Sequence, residues 1–208
     1  MTQDLLDKLA IRELIENWAL WRDAGYWERF RTVWHDDGFM MATWFQGTAE
    51  EFIRVSRAGF ERGVSILHFL GGCSIDLGRD QARDRAIAQT KMTISQRATV
   101  HEVLVDVLCT GRFYDFLEKR NGQWGLVLRR VCYEKDRMDP VDPAQSVALD
   151  PAVLARFPAG YRHLAYLQTG LGFDVKLDLP GLAGPANDKL YAFGKAWLEG
   201  RPVDGARK

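Results

Sequence analysis

Residues 65–135 read SILHFLGGCSIDLGRDQARDRAIAQTKMTISQRATVHEVLVDVLCTGRFYDFLEKRNGQWGLVLRRVCYEK. Three runs in this stretch, Ser65 to Leu77, Arg83 to Val100 and Glu102 to Glu118, are rich in branched and aromatic residues and read as long strands. Gly78-Arg79-Asp80 turns the first run into the second. Asn121-Gly122, set between apolar runs, is a hairpin signal that leads into a last strand, Trp124 to Lys135. The four strands follow one another with no helix between them, which argues for antiparallel pairing, since parallel neighbours need long crossover connections. Gly71-Gly72, inside the first strand, offers a place for a bulge that bends the sheet.

Upstream, residues 4 to 23 place Leu5, Leu9, Ile11, Leu14, Ile15, Trp18 and Trp21 at helical spacing, with Arg12, Glu13, Glu16 and Asn17 on the other side. Ala24-Gly25 ends this helix, and Tyr26 to Trp34 predicts a second, shorter one before His35-Asp36-Asp37-Gly38. Phe39 to Phe45 is β-prone, and Thr48-Ala49-Glu50-Glu51 has the pattern of a capping box opening a third helix through about Arg62. The order α-α-β-α-β-β-β-β predicts an α+β fold. Its curved antiparallel sheet, four long strands and a short one, wraps around the first and third helices on the concave face.

Residues 139 to 208 hold all seven prolines of the chain and many of its glycines, with DPVDP at their start. The reading divides the chain into a domain over residues 1–138 and a C-terminal extension over 139–208. In the extension, Pro151 to Phe157 and Asn187 to Leu198 predict short helices. Tyr161, Leu164, Tyr166, Leu167, Leu190 and Trp197 there need apolar cover, from the pocket mouth or from a neighbouring subunit.

The composition is 47% hydrophobic and 27% charged, with 28 basic against 28 acidic side chains, which points away from nucleic acid as a partner. MTQDLLDKLAIREL lacks the uninterrupted apolar core of a signal peptide, and no run approaches membrane-spanning length. A cytoplasmic protein with no membrane partner is expected. Cys73, Cys109 and Cys132 are odd in number, widely spaced and without a CxxC, so reduced core thiols are expected, with no metal. GxGxxG, P-loop, HExxH and GxSxG patterns are missing, and no cofactor is expected.

Three strings, Leu20-Trp21-Arg22-Asp23-Ala24-Gly25, Val33-Trp34-His35-Asp36-Asp37-Gly38 and His68-Phe69-Leu70-Gly71-Gly72 followed by Ile75-Asp76-Leu77, resemble in order the SnoaL-like branch of the nuclear-transport-factor-two-like superfamily. The resemblance spans roughly residues 5 to 138 and implies a cone-shaped α+β barrel, the cystatin-like roll. Phe157-Pro158-Ala159-Gly160-Tyr161-Arg162-His163-Leu164 and Ala196-Trp197-Leu198-Glu199-Gly200 also look like the C-terminal extension of bacterial members. That superfamily holds dehydratases, a dehydrochlorinase, ketosteroid isomerase, polyketide cyclases and non-catalytic binding modules, so fold alone leaves function open. In its dehydratase and dehydrochlorinase branch, an Asp at the end of the first helix orients a His that removes a proton from carbon. Asp23 and His68 stand at the matching positions. Where that branch carries a Tyr or Lys five residues before the Asp, this chain has Trp18, whose indole cannot titrate and only donates a hydrogen bond.

An imidazole titrates near neutral pH, and a carboxylate behind it fixes the tautomer and stabilises the imidazolium that forms. The competing reading makes His68 a core histidine bonded to backbone and Asp23 a helix-end carboxylate. An Arg on the last strand helps in relatives. Arg129 or Arg130 can fill that place, and strand alternation puts them on opposite faces, with Arg129 favoured. Trp18 and Trp44 are candidate pocket walls, with Trp21 and Trp34 as further possibilities, and Tyr133 shares the parity of Arg129. His101 reads as a rim or loop histidine, His35 as a surface residue, and His163 carries no signal of its own. The expected activity is a lyase or isomerase, dehydratase-like, acting on an apolar, cyclic small molecule, in a homodimer or higher homo-oligomer. The rivals are a small-molecule-binding accessory module with the same pocket and a dimerisation domain.

Overall fold

The computed structural model describes residues 2–207. Helix α1 (Gln3–Asp23) is followed by α2 (Trp27–Arg31), β1 (Trp34–Met41), β2 (Gln46–Thr48) and α3 (Ala49–Glu61). Four long strands come next, β3 (Ser65–Leu77), β4 (Arg85–Val100), β5 (Val103–Arg120) and β6 (Gln123–Pro140), and then α4 (Pro151–Leu154), α5 (Arg162–Gly170) and α6 (Pro185–Leu198). The strands form one curved sheet in the order β2-β1-β6-β5-β4-β3.

Local chemistry accounts for the main boundaries. Thr48 accepts from the Glu51 amide while the Glu51 carboxylate accepts from the Thr48 amide, so the capping box opens α3. Asn121 and Gly122 both have positive φ, the geometry of a tight hairpin turn, and they join β5 to β6. The β3–β4 register shifts by one residue between Leu70 and Cys73, so Gly71-Gly72 supplies the bulge that bends the edge strand.

Three expectations need correction. The segment expected as a helix through Trp34 is helical only to Arg31, and Trp34 instead opens β1, which lies against Leu126 of β6. Helical spacing over so short a span yields to strand pairing. That β1–β6 pairing is parallel, so the sheet is antiparallel everywhere except at this seam. The last strand, expected to end at Lys135, runs on to Pro140, with Asp139 and Pro140 paired to Asp106 and Val105, because a proline at a strand end needs no ladder donor.

The sheet is covered on both faces. Ile11, Ile15 and Trp18 of α1 and Phe52 of α3 pack on Val105, Val107, Phe113 and Tyr133, joined by Tyr161, Leu164 and Leu167 of the extension. On the opposite face, Leu190 and Trp197 of α6 bury Ile87, Phe116 and Leu128. The extension therefore packs on its own chain, and α6 lies on the face away from α1 and α3. Gly194 allows this close approach, since a Cβ there would fall on the Tyr114 hydroxyl. Tyr114 is buried between the rings of Phe116 and Tyr191 and has little room to swing away. Gly194→Ala is expected to lower the Tm by at least about 2 °C, despite a gain in helix propensity. An unchanged or raised Tm in a thermal melt would show that α6 stands off the sheet.

Candidate functional site

Asp23 is the last residue of α1, and Gly25, at φ 72°, turns the chain away just beyond it. This end of α1 lies over β3, the edge strand of the sheet. Asp23 Oδ2 accepts from the His68 amide at 2.5 Å, satisfying a backbone donor on that edge, and Oδ1 lies 2.9 Å from His68 Nδ1. One carboxylate thus ties the helix to the edge strand and orients the ring.

Both side chains are largely enclosed, His68 at 8% exposure and Asp23 at 13%. Burial pushes the imidazole pKa below its ordinary 6.5, outweighing the Asp23 contact that raises it, and the positive charges of Arg22 and Arg129 push it the same way as burial. For Asp23, burial raises the pKa, but the hydrogen bonds and charge of His68, with the Arg22 charge, outweigh it and hold the carboxyl below the usual range. The pair therefore rests as carboxylate and neutral imidazole, with Nδ1–H donated to Asp23 and Nε2 left as acceptor.

His68 lines a cavity of about 30 Å³ together with Trp18, Trp44, Tyr133, Gln96 and Gln168. The Trp18 ring meets the His68 ring edge-to-face at 5.2 Å. Polar groups run along one wall: the Thr43 amide donates to the Tyr133 hydroxyl, Thr43 Oγ1 to Gln168 Oε1, and Gln168 Nε2 to Gln96 Oε1. A second, larger chamber of about 290 Å³ shares Arg22, Trp44, Ile66, Gln96 and Gln168 as walls and adds Phe45, Ser56, Phe60 and Phe173. The extension contributes Leu164 and Gln168 to the inner space and Gln168, Leu171 and Phe173 to the outer one.

Trp18, Trp44 and Tyr133 line the inner cavity. Arg129 faces the same side of the sheet but stops short of it. Its guanidinium makes two 2.7 Å bonds to Asp115, both residues at 0% exposure, and lies 4.2 Å from the Trp18 ring and 4.0 Å from that of Phe113. Breaking a buried pair of this kind costs about 3–5 kcal/mol, so Arg129 is held by Asp115 behind the aromatic wall. Arg130 faces the other side and bonds the Ala206 carbonyl. Trp21 and Trp34 lie outside both chambers. His101 bonds the Tyr166 hydroxyl at the β4–β5 turn, His35 bonds the Glu118 carbonyl, and His163 bonds Asp136.

Residues 3–130 match the model of the SnoaL-like domain. The chain belongs to the SnoaL-like family. Among proteins of similar sequence is Pea pathogenicity protein 2 of Fusarium vanettenii, 39% identical over 208 residues that cover 96% of this chain and 88% of that protein. An uncharacterized protein of Emericella nidulans is 35% identical, covering 96% and 89%. Among solved structures of similar fold are a hexachlorocyclohexane dehydrochlorinase (13% identity, TM-score 0.56, 71% of this chain and 95% of that one) and a protein assigned as a scytalone dehydratase from Novosphingobium aromaticivorans (16%, 0.54, 70% and 97%). At these identities the likeness is one of fold. The fungal relatives match nearly the whole chain, extension included, whereas these solved folds match about 70% of it.

Sequence reasoning missed Arg22, Thr43, Gln96 and Gln168. Arg22 neighbours Asp23 on a helix, where adjacent residues diverge, and only the final turn over β3 brings both to one place. Gln168 carries no local signal, because its place depends on where α5 docks.

Proposed function

We propose that this protein is a cofactor-independent lyase of the dehydratase type acting on an apolar, cyclic small molecule. The observation that carries this reading is the Asp23–His68 contact at 2.9 Å, with the ring facing a cavity. His68 Nε2 takes a proton from carbon, Asp23 stabilises the imidazolium, and the same proton leaves with the departing hydroxide as water. Tyr133 accepts from the Thr43 amide, so its own O–H is free to donate a hydrogen bond to the leaving oxygen, and burial pushes its pKa up, which keeps it protonated. Trp18 Nε1, buried and without a partner, is a second donor for developing charge. If the proton returns to a different carbon, the same groups perform an isomerisation.

The accessory-module reading is favoured by one feature. The inner cavity holds about 30 Å³, room for little more than water or one functional group of a ligand. Under the catalytic reading only the reacting end enters it, and the ring sits in the outer chamber. The protein acts in the cytoplasm as a homo-oligomer, for which Leu67 and Phe69, 59% and 76% exposed on β3, supply apolar contact.

The test is turnover of hydroxylated cyclic carbonyl compounds, followed by loss of substrate and gain of conjugated product absorbance. With the His68 pKa depressed, the base is already neutral below pH 6.5. The acid limb of kcat/KM is expected to have its midpoint under 6.5. A midpoint at or above 6.5 would mean that a different group limits the rate, and an absence of turnover across the panel would favour the accessory module.

A further inference from the structure

Three buried polar atoms without a partner, Trp18 Nε1, Arg22 Nε and Ser56 Oγ, belong to residues that line the two chambers. Arg22 is the one of these three that walls both spaces. The residue is 7% exposed, and Nη1 alone makes its hydrogen bonds, to Asp23 Oδ1 and to the Ile66 carbonyl, each at 3.1 Å. Those bonds hold the guanidinium plane and leave its Nε/Nη2 edge unbonded. Elsewhere in the molecule that same edge grips carboxylates, Asp106 at Arg97 and Asp115 at Arg129. A buried guanidinium Nε–H without an acceptor is costly, and a ligand oxygen relieves that cost.

Charge narrows the ligand. Arg22 and Asp23 neutralise one another, as do Arg129 and Asp115, and His68 is neutral at rest. An anionic group would add an unbalanced buried charge. A neutral carbonyl does not, and when His68 takes its proton, the negative charge on oxygen and the imidazolium appear together.

We propose that Arg22 binds the carbonyl oxygen of the substrate at the wall shared by the two chambers, which makes the substrate a β-hydroxy carbonyl compound. This rests on His68 acting as the base. His68 Nε2 removes the proton on the carbon next to the carbonyl, and the C–H pair becomes the new C=C bond of an enolate. The carbonyl π pair moves to the oxygen that Arg22 holds. The pair then returns, the β C–O bond breaks, and the departing hydroxide takes the proton from His68 to leave as water. The products are an α,β-unsaturated carbonyl compound and one water.

Acetophenone and isopropylbenzene, which differ by a carbonyl in place of a branched carbon, serve as probes for calorimetric titration. Arg22→Met is expected to weaken acetophenone binding at least tenfold and isopropylbenzene binding less than twofold. Arg22→Lys should lose less of the acetophenone affinity than Arg22→Met. Equal losses for the two ligands, or unchanged acetophenone binding, would overturn the proposal. Should Arg22→Met fail to fold, wild-type protein still decides, since the carbonyl ¹³C resonance of bound acetophenone is expected downfield of the free ligand. An unmoved resonance would overturn the proposal. Deuterium exchange of the acetophenone methyl group in D₂O reads His68 separately. A downfield carbonyl without exchange supports Arg22 and removes the base, whereas exchange with an unmoved carbonyl removes Arg22 alone.

Discussion

Replacing His68 by Ala is expected to lower turnover at least ~100-fold with the fold intact, because a general base contributes about 10²–10⁴ in rate. Asp23→Asn should lose a comparable factor for a different reason. Asp23 receives the His68 amide on one oxygen and Nδ1–H on the other, whereas an amide side chain has only one acceptor for the two donors. If its NH₂ faces Nδ1, the ring proton moves to Nε2 and the lone pair that takes the proton from carbon is gone. The double variant should be little slower than the worse single one, since the two residues act as a unit. Single-turnover kinetics and thermal melts on all three variants check this. Losses that multiply, accompanied by a falling Tm, would assign the pair a structural role.

Ending the chain before Asp139 is the second change with a large expected effect. It strips α6 from Ile87, Phe116 and Leu128 on one face and removes Tyr161, Leu164 and Leu167 from the other. It also takes away the pairing of Asp139 and Pro140 with β5 and the extension's share of both chambers. Each large apolar side chain uncovered costs about 1.5–3 kcal/mol, so exposing Ile87, Phe116 and Leu128 alone costs an amount on the scale of the whole 5–15 kcal/mol of a typical domain. The shortened chain is expected to be insoluble or aggregated, as judged by light scattering after expression. A soluble product that melts like the full chain would show that the domain closes its core without the extension.

Signals carried by neighbouring residues were legible. The apolar stripe of α1, the Thr48–Glu51 box, the Asn121-Gly122 turn and the Gly71-Gly72 bulge each depend on side chains a few positions apart. Asp23 and His68, 45 residues apart, were legible as a pair only by resemblance, because nothing in spacing brings two residues so distant together. The same limit explains Trp34, where a helical pattern gave way to parallel pairing with β6, a partner some ninety residues further on.

By itself, then, the sequence determined the main helices, the four long strands and the α+β class, because local propensity and short-range hydrogen bonds act within a few residues. It did not mark β2 or α5. Tertiary structure alone decided which groups meet in the site. Alternation put Arg129 on the inner face, but the carboxylate of Asp115 directly across the β5–β6 ladder captured it before it could reach the cavity. Arg22, with no signal of its own, was brought to the wall shared by the two chambers by the docking of α1 on β3. Gln168 arrived from the extension to complete the wall. Such meetings depend on packing between distant segments, and residue types and their spacing along the chain do not encode it.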